Sequence, residues 1–116
     1  LDVQHKNAVE IGVDPARIIW DAGFGFAKDV EQNWELLRNL PQLLASPQRH
    51  LVGVSRKRML APVVSPVLQA ANNPADRDMP TAAISFYAAQ LGAYAVRVHD
   101  VAGSVSAIRV ASALER

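Results

Sequence analysis

Apolar and polar positions along this chain repeat with two different periods. Over Ala95–Val101, Val96 and Val98 alternate with Arg97 and His99. A period of two predicts a strand, here with one aliphatic and one cationic face. Arg17–Trp20 and Leu51–Val54 are shorter apolar runs that also predict strands. Other stretches follow the helical period: Val30, Trp34, Leu37 and Leu44; Ile84, Ala88 and Leu91; Val105, Ile108 and Ala111.

Local signals set the boundaries. Residues 1–11 read as the end of a helix closed by Gly12, and Val13-Asp14-Pro15 as a turn. Asp29 with Gln32 three residues later predicts a capping box, and Pro41 is expected to kink or divide the helix that follows. Pro62, Pro66, Pro74 and Pro80, with Asn72-Asn73, predict a long loop over residues 61–80. Asp78 is expected to cap a helix with Pro80 in its first turn and Gly92 at its end, and the last helix to start near Ser104. The order is a helix, then strand and helix three times. Such alternation predicts an α/β chain of parallel strands joined by right-handed crossovers. The 95–101 strand, set between helices, is expected to be central and buried on both faces. An unpaired charge there is costly, so Arg97 predicts an anion or carboxylate held against it, with His99 alongside.

Composition narrows the function. The chain has 116 residues, half of them hydrophobic and a fifth charged, with net charge +1. That suits one domain with a modest core, and no composition shift marks an internal boundary. The charges are interspersed, without the basic stripe of a nucleic-acid binder. There is no cysteine, which excludes disulfides, zinc–thiolate sites and thiol catalysis and allows a reducing compartment. No apolar run reaches the ~18 residues of a membrane span. The chain begins Leu1-Asp2-Val3, so a fragment or a processed chain is expected.

Parallel α/β folds bind ligands beyond the carboxyl ends of their strands. The first strand ends at Asp21 and a glycine loop, the second at Ser55-Arg56-Lys57, the third at Arg97 and His99. One carboxylate among several cations suits a ligand with a donor edge and an anionic group. Each feature alone has a plainer reading. Asp21 could cap a turn, Ser-Arg-Lys-Arg could be a solvated charge run, and His99 could be a structural histidine. The glycine loop fails the Walker pattern, since Ala27 precedes Lys28 and Asp29 follows it, and it lacks the third glycine of a dinucleotide loop. His5 and His50 read as surface residues, and Trp20, Trp34, Tyr87 and Tyr94 as core.

Three motifs in this order resemble dihydropteroate synthase: Asp-x-Gly-Phe-Gly-Phe-x-Lys at 21–28, Val-Gly-x-Ser-Arg-Lys at 52–57 and Arg-Val-His-Asp-Val at 97–101. The Ser-Arg-Lys-Arg form is similar to the actinobacterial branch. The resemblance covers nearly all of this chain but only the last two-fifths of a typical member. It implies a single partial domain, 1–116, holding the last three units of a (β/α)8 TIM barrel. It also implies folate-biosynthetic chemistry. Such enzymes transfer the pterin methylene of 7,8-dihydropterin pyrophosphate to 4-aminobenzoate and release pyrophosphate, with Mg2+ bound, and sulfonamides compete with the aminobenzoate.

Motif by motif, the resemblance implies that Asp21, Gly25, Lys57 and Arg97 bind the pterin. Arg97 and His99 would take the pyrophosphate, and Phe26, Ser55, Arg56 and Arg58 the aminobenzoate. No covalent nucleophile is implied, and the Mg2+ ligand would lie outside this chain. Ala22 stands where the family has Pro, and Arg58 where a Ser commonly contacts the aminobenzoate carboxylate. A methyltetrahydrofolate methyltransferase, a neighbour in the pterin-binding superfamily, is disfavoured by the Ser-Arg-Lys and Arg-Val-His motifs. Further expectations are a cytoplasmic location, a homodimer for the full-length protein or an N-terminal partner fragment, and inactivity of the isolated chain. The alternatives are a non-catalytic pterin or anion binder and a barrel-completing subunit.

Overall fold

In the computed structural model, which describes residues 1–69 and 73–115, β1 (Ile19–Asp21), β2 (Arg49–Val52) and β3 (Ala95–Val96) form one parallel sheet. Trp20 stands beside His50, Asp21 beside Leu51, Leu51 beside Ala95 and Val52 beside Val96. The expected α/β class with parallel strands is what the chain adopts.

The middle strand is β2, which corrects the expectation that the 95–101 stretch would be central. β3 lies at the edge of the sheet, and its pairing is extended by one bond at either end: the Tyr94 N–H donates to the His50 carbonyl at 2.9 Å and the Arg97 N–H to the Val52 carbonyl at 3.1 Å. The alternation of valines does continue, but Asp100 already caps the next helix by accepting from the Gly103 N–H at 3.1 Å. The other strands are displaced too. Pro15–Arg17 winds a 3-10 turn capped by Asp14, so β1 starts at Ile19 and runs through Asp21. β2 takes in Arg49 and His50 and ends before Gly53 and Val54, because pairing follows the neighbours' backbone and not hydropathy.

α1 (Asp2–Glu10) is closed at Gly12, whose φ is +104°. α2 (Val30–Arg38) opens on the expected capping box: Asp29 accepts from the Gln32 N–H at 2.7 Å, and Gln32 returns the bond at 2.9 Å. Pro41 does divide the helix, since α3 (Leu40–Leu44) starts afresh after Asn39. The predicted long loop is built of short helical turns: Arg58–Val63, α4 (Pro66–Gln69) and Pro74–Arg77. Asn73 caps the last of these, and Asn72 lies outside the described residues.

α5 (Asp78–Gln90) starts at Asp78 and carries Pro80 in its first turn, but Asp78 does not cap it; its carboxylate faces Arg56 instead. α6 (Val101–Leu114) begins three residues before Ser104. That start turns Ser104 and Ala111 inward, where Ser104 meets Ser85 of α5 at 2.9 Å, and leaves Val105 exposed instead of buried.

The core lies between the sheet and the helices. Phe24, Leu40, Met59 and Leu60 are its fully buried large side chains, packed with Leu37, Val52 and Ala88. The histidines correct the surface reading. His50 is buried against Trp20, ring centroids 5.6 Å apart, and His5 accepts from the Trp20 indole N–H at 2.9 Å. Tyr94 departs in the other direction: it is exposed, with the Arg49 guanidinium 5.1 Å from its ring. Among the described residues no helix is long and apolar enough to cross a membrane.

Candidate functional site

Side chains alternate across a strand, so the register decides which residues share a face. Trp20, His50, Val52 and Val96 form the set that packs toward the helices. Asp21, Leu51 and Ala95 belong to the opposite set, and Gly53 and Arg97, each two residues on, continue it. Asp21 and Arg97 are therefore brought to one face with Gly53 between them.

The Arg97 guanidinium crosses that glycine. A Cβ on Gly53 would stand 2.5 Å from Arg97 Nη2, so only a residue without a side chain lets the arginine lie there. Arg97 Nη1 then donates to Asp21 Oδ2 at 2.8 Å. The other carboxylate oxygen accepts from the Gly23 N–H at 2.9 Å. Burial alone would raise the Asp21 pKa. The Arg97 hydrogen bond, the Gly23 N–H and the charges of Arg97 and Lys57 outweigh it and hold the carboxyl below its usual range. The expected anionic partner of Arg97 is thus Asp21, although the guanidinium stays half exposed.

Lys57 reaches the same rim over the glycine loop. Its stem passes so close to Gly25 that a Cβ there would lie 2.8 Å from Lys57 Cδ, and Gly25 also has φ +82°. The ammonium sits 4.5 Å from the centroid of the Phe26 ring, a cation–π contact on an otherwise exposed aromatic. A cleft of about 190 Å³ is lined by Gly53, Ser55, Lys57, Arg97, Val98 and His99.

Of the residues assigned to aminobenzoate, two are engaged within the chain and a third is open to solvent. Ser55 is buried, and its hydroxyl lies 2.7 Å from His99 Nδ1 while accepting from the His99 backbone N–H at 3.0 Å. Arg56 turns away to Asp78 in a two-point contact of 2.9 and 3.0 Å. Arg58 is exposed at the start of the 58–63 turn and is not among the residues lining the cleft.

Several residues support the rim from behind. Arg56 has φ +57°, and α5 with the turn before it grips it on three sides: Asp78 holds the guanidinium, Arg77 donates to its carbonyl at 2.9 Å, and Thr81 accepts from its N–H at 3.4 Å. That grip fixes the backbone from which Lys57 departs. Asn33, buried on α2, accepts from the Gly25 N–H at 2.8 Å and donates to the Asp29 carbonyl at 2.8 Å. Lys28 donates to the carbonyls of Ala22, Gly23 and Phe26 at 3.0–3.2 Å, filling the loop from inside. The failed Walker pattern had already set Lys28 apart; nothing in the spacing pointed to Asn33.

Comparison with known proteins gives this rim a family. Residues 1–99 match the model described as pterin binding enzyme. The chain belongs to the pterin binding enzyme family. Its similar proteins include the dihydropteroate synthase of Mycobacterium leprae, 46% identical over 107 residues, covering 92% of this chain and 38% of that protein. A Streptococcus pyogenes dihydropteroate synthase is 44% identical over 110 residues, 94% of this chain and 40% of that one. The chain thus spans about two-fifths of the length of these relatives.

Among solved structures, Xanthomonas albilineans dihydropteroate synthase with 4-aminobenzoic acid superposes with a TM-score of 0.85 at 35% identity, over 98% of this chain and 41% of that one. The Yersinia pestis enzyme with a pterine–sulfa conjugate gives 0.83 at 32% identity, over 98% and 42%. This chain is therefore similar to these synthases in both sequence and backbone. The three motifs that suggested the resemblance lie, up to His99, within the matched span.

Proposed function

We propose that this chain is the part of a dihydropteroate synthase that grips the dihydropterin and its pyrophosphate. The observation that carries this reading is the meeting of Asp21 and Arg97 across Gly53, beside a cleft lined by Lys57 and His99. A carboxylate accepts paired N–H bonds from a guanidine-like edge, which the pterin presents. Asp21 is one-third exposed, so it retains room for such an edge while Arg97 holds one oxygen. Lys57 faces the pterin carbonyl over the Gly25 loop, and Arg97 and His99 face the pyrophosphate.

The reaction forms a bond from the aminobenzoate nitrogen to the pterin methylene carbon and breaks that carbon's bond to the pyrophosphate oxygen. The bonding pair leaves with pyrophosphate, and the amine gives up a proton. The amine is already nucleophilic, so the protein's task is to stabilise charge gathering on the leaving oxygens. Arg97 and His99 do this as hydrogen-bond donors. The aminobenzoate ring rests against Phe26 and its carboxylate faces Arg58, because Ser55 and Arg56 are engaged elsewhere. Among the described residues no cluster of His, Asp or Glu is large enough to hold a metal ion. The protein ligand of the Mg2+ that the resemblance implies is proposed to lie outside this chain.

The three strand–helix units read as the sixth to eighth of a (β/α)8 barrel, with 1–116 one partial domain. Half-exposed Ile19 and the short edge strand β3 support a missing remainder. The full-length protein is read as a cytoplasmic homodimer. The span of about two-fifths also favours a second reading, a barrel-completing subunit that lends Lys57 and Arg97 to a shared site. A non-catalytic pterin or anion binder would bind either ligand in calorimetry without turnover.

Turnover with dihydropterin pyrophosphate, 4-aminobenzoate and Mg2+ tests the proposal. The full-length protein is expected to release pyrophosphate, with losses of about a hundredfold in Lys57→Ala and Arg97→Ala. The pure 116-residue chain is expected to be inactive, and to gain activity on mixing with an N-terminal partner under the second reading. Undiminished turnover in both variants overturns the assignment, and robust product from the chain alone overturns its expected inactivity.

A further inference from the structure

The Ser55 hydroxyl and the His99 imidazole are 2.7 Å apart, close enough for a short hydrogen bond whose direction depends on one proton. Ser55 Oγ also accepts the backbone N–H of His99 at 3.0 Å. A hydroxyl has one proton to give. If it goes to His99 Nδ1, the serine is satisfied both as donor and as acceptor. If Nδ1 held the proton instead, Oγ would accept twice, and its own hydrogen would need another acceptor. The structure gives buried Ser55 no such acceptor among the described residues. Hydrogen bonding at one ring nitrogen determines the proton on the other.

We infer that Ser55 is a positioning residue that fixes neutral His99 as the Nε2–H tautomer, a directed donor into the cleft between Lys57 and Arg97. The inference rests on the pyrophosphate reading of that cleft. It moves Ser55 from the aminobenzoate pocket to the control of the leaving-group donor. The serine does this at two points, since its oxygen holds the backbone of residue 99 as well as the ring. A lone histidine on the turn between β3 and α6 would otherwise sample both tautomers and several ring orientations. The charged groups around it are Lys57 from the second strand end, Arg97 from the third, Asp78 from α5 and Asp100 next in the chain. Among the described residues neither carboxylate is hydrogen-bonded to the ring, which leaves the serine to set the tautomer.

The test uses full-length protein labelled with 15N in histidine, with His99→Asn identifying the His99 signals. Above neutral pH the wild-type protein is expected to show the proton on Nε2 and an unprotonated Nδ1. Ser55→Ala is expected to give averaged tautomer signals and an affinity for inorganic pyrophosphate about fivefold weaker by calorimetry. Ser55→Thr, which keeps the hydroxyl, is expected to restore both. A proton on Nδ1 in the wild-type protein, or an unchanged His99 spectrum in Ser55→Ala, overturns the inference. The wild-type spectrum decides even if the serine variants fail to fold. A fixed Nε2–H tautomer with no pyrophosphate binding would instead sink the reading of the cleft, and the two failures are told apart by which measurement fails.

Discussion

Arg97 reaches Asp21 by lying across Gly53, with 2.8 Å between guanidinium and carboxylate and no room for a Cβ beneath. Three strand ends meet in that one contact. The acid comes from β1, the gap from the residue after β2, and the base from the residue after β3. Gly53→Ala places its methyl against the far end of a flexible side chain, which can swing aside. The fold is expected to survive with a loss of about 1 kcal/mol or less, at the low end of overpacking costs. Affinity for a pterin is expected to fall about tenfold, since a displaced Arg97 no longer steadies Asp21. Chemical denaturation and calorimetry on the same variant check the two halves; a large stability loss with intact affinity would refute the account.

The glycine loop should depend as strongly on a residue outside it. Asn33 is buried, and Asn33→Ala strips the Gly25 N–H of its acceptor and the Asp29 carbonyl of a donor. Leaving buried polar groups unpaired costs about 1–3 kcal/mol. Asn33→Asp keeps the acceptor but loses the donor, so its midpoint in urea is expected between those of alanine and wild type. Equal midpoints for all three would mean that the loop holds itself.

How much of this was legible follows from the kind of signal each residue leaves. Asp21, Lys57, Arg97 and His99 stand where apolar runs give way to charge, and hydropathy exposes such places directly. The order of strands in the sheet leaves no such trace. Ala95–Val101 carries the clearest alternation, yet it pairs only briefly, because Asp100 diverts the chain into α6. His50 looked like surface because burial of a histidine depends on a partner from another strand, here Trp20. Asp78 looked like a helix cap because its partner, Arg56, is 22 residues away. The contact of Ser55 left no trace for the same reason: its hydroxyl meets a residue 44 positions along the chain.

Two carboxylates should make the fold sensitive to acid. Asp21 is held below its usual pKa against the opposing pull of burial, and the Arg56 hydrogen bond lowers Asp78 more than burial raises it. A carboxyl whose folded pKa is depressed adds stability above its unfolded value, near 3.8 here, and that stability is lost as pH falls toward the folded value. The urea midpoint is therefore expected to drop below about pH 4. Asp21→Asn and Asp78→Asn should each flatten part of the drop, and the double variant more than either. A wild-type slope retained in full by the double variant would place the acid sensitivity elsewhere.

His50 predicts a second pH dependence in a different window. Ser46 donates its hydroxyl proton to the Leu43 carbonyl at 2.9 Å, so the 2.7 Å contact with His50 is made by the Nε2–H of the ring. Nδ1 then carries a buried lone pair with no partner. Protonating it would create a buried cation whose new N–H has nowhere to donate, and desolvation accordingly lowers the His50 pKa from 6.5. The unfolded chain binds that proton more readily than the folded one. Stability is thus complete above the unfolded value, and it declines as pH drops below 6.5 toward the depressed folded value. His50→Gln cannot titrate and should remove this slope between the neutral range and the onset of carboxylate protonation. It should leave the deeper acid transition of Asp21 and Asp78 intact. Denaturation midpoints of both proteins, measured stepwise through this range, decide it: parallel curves would mean that His50 stays uncharged throughout or that its burial carries no penalty.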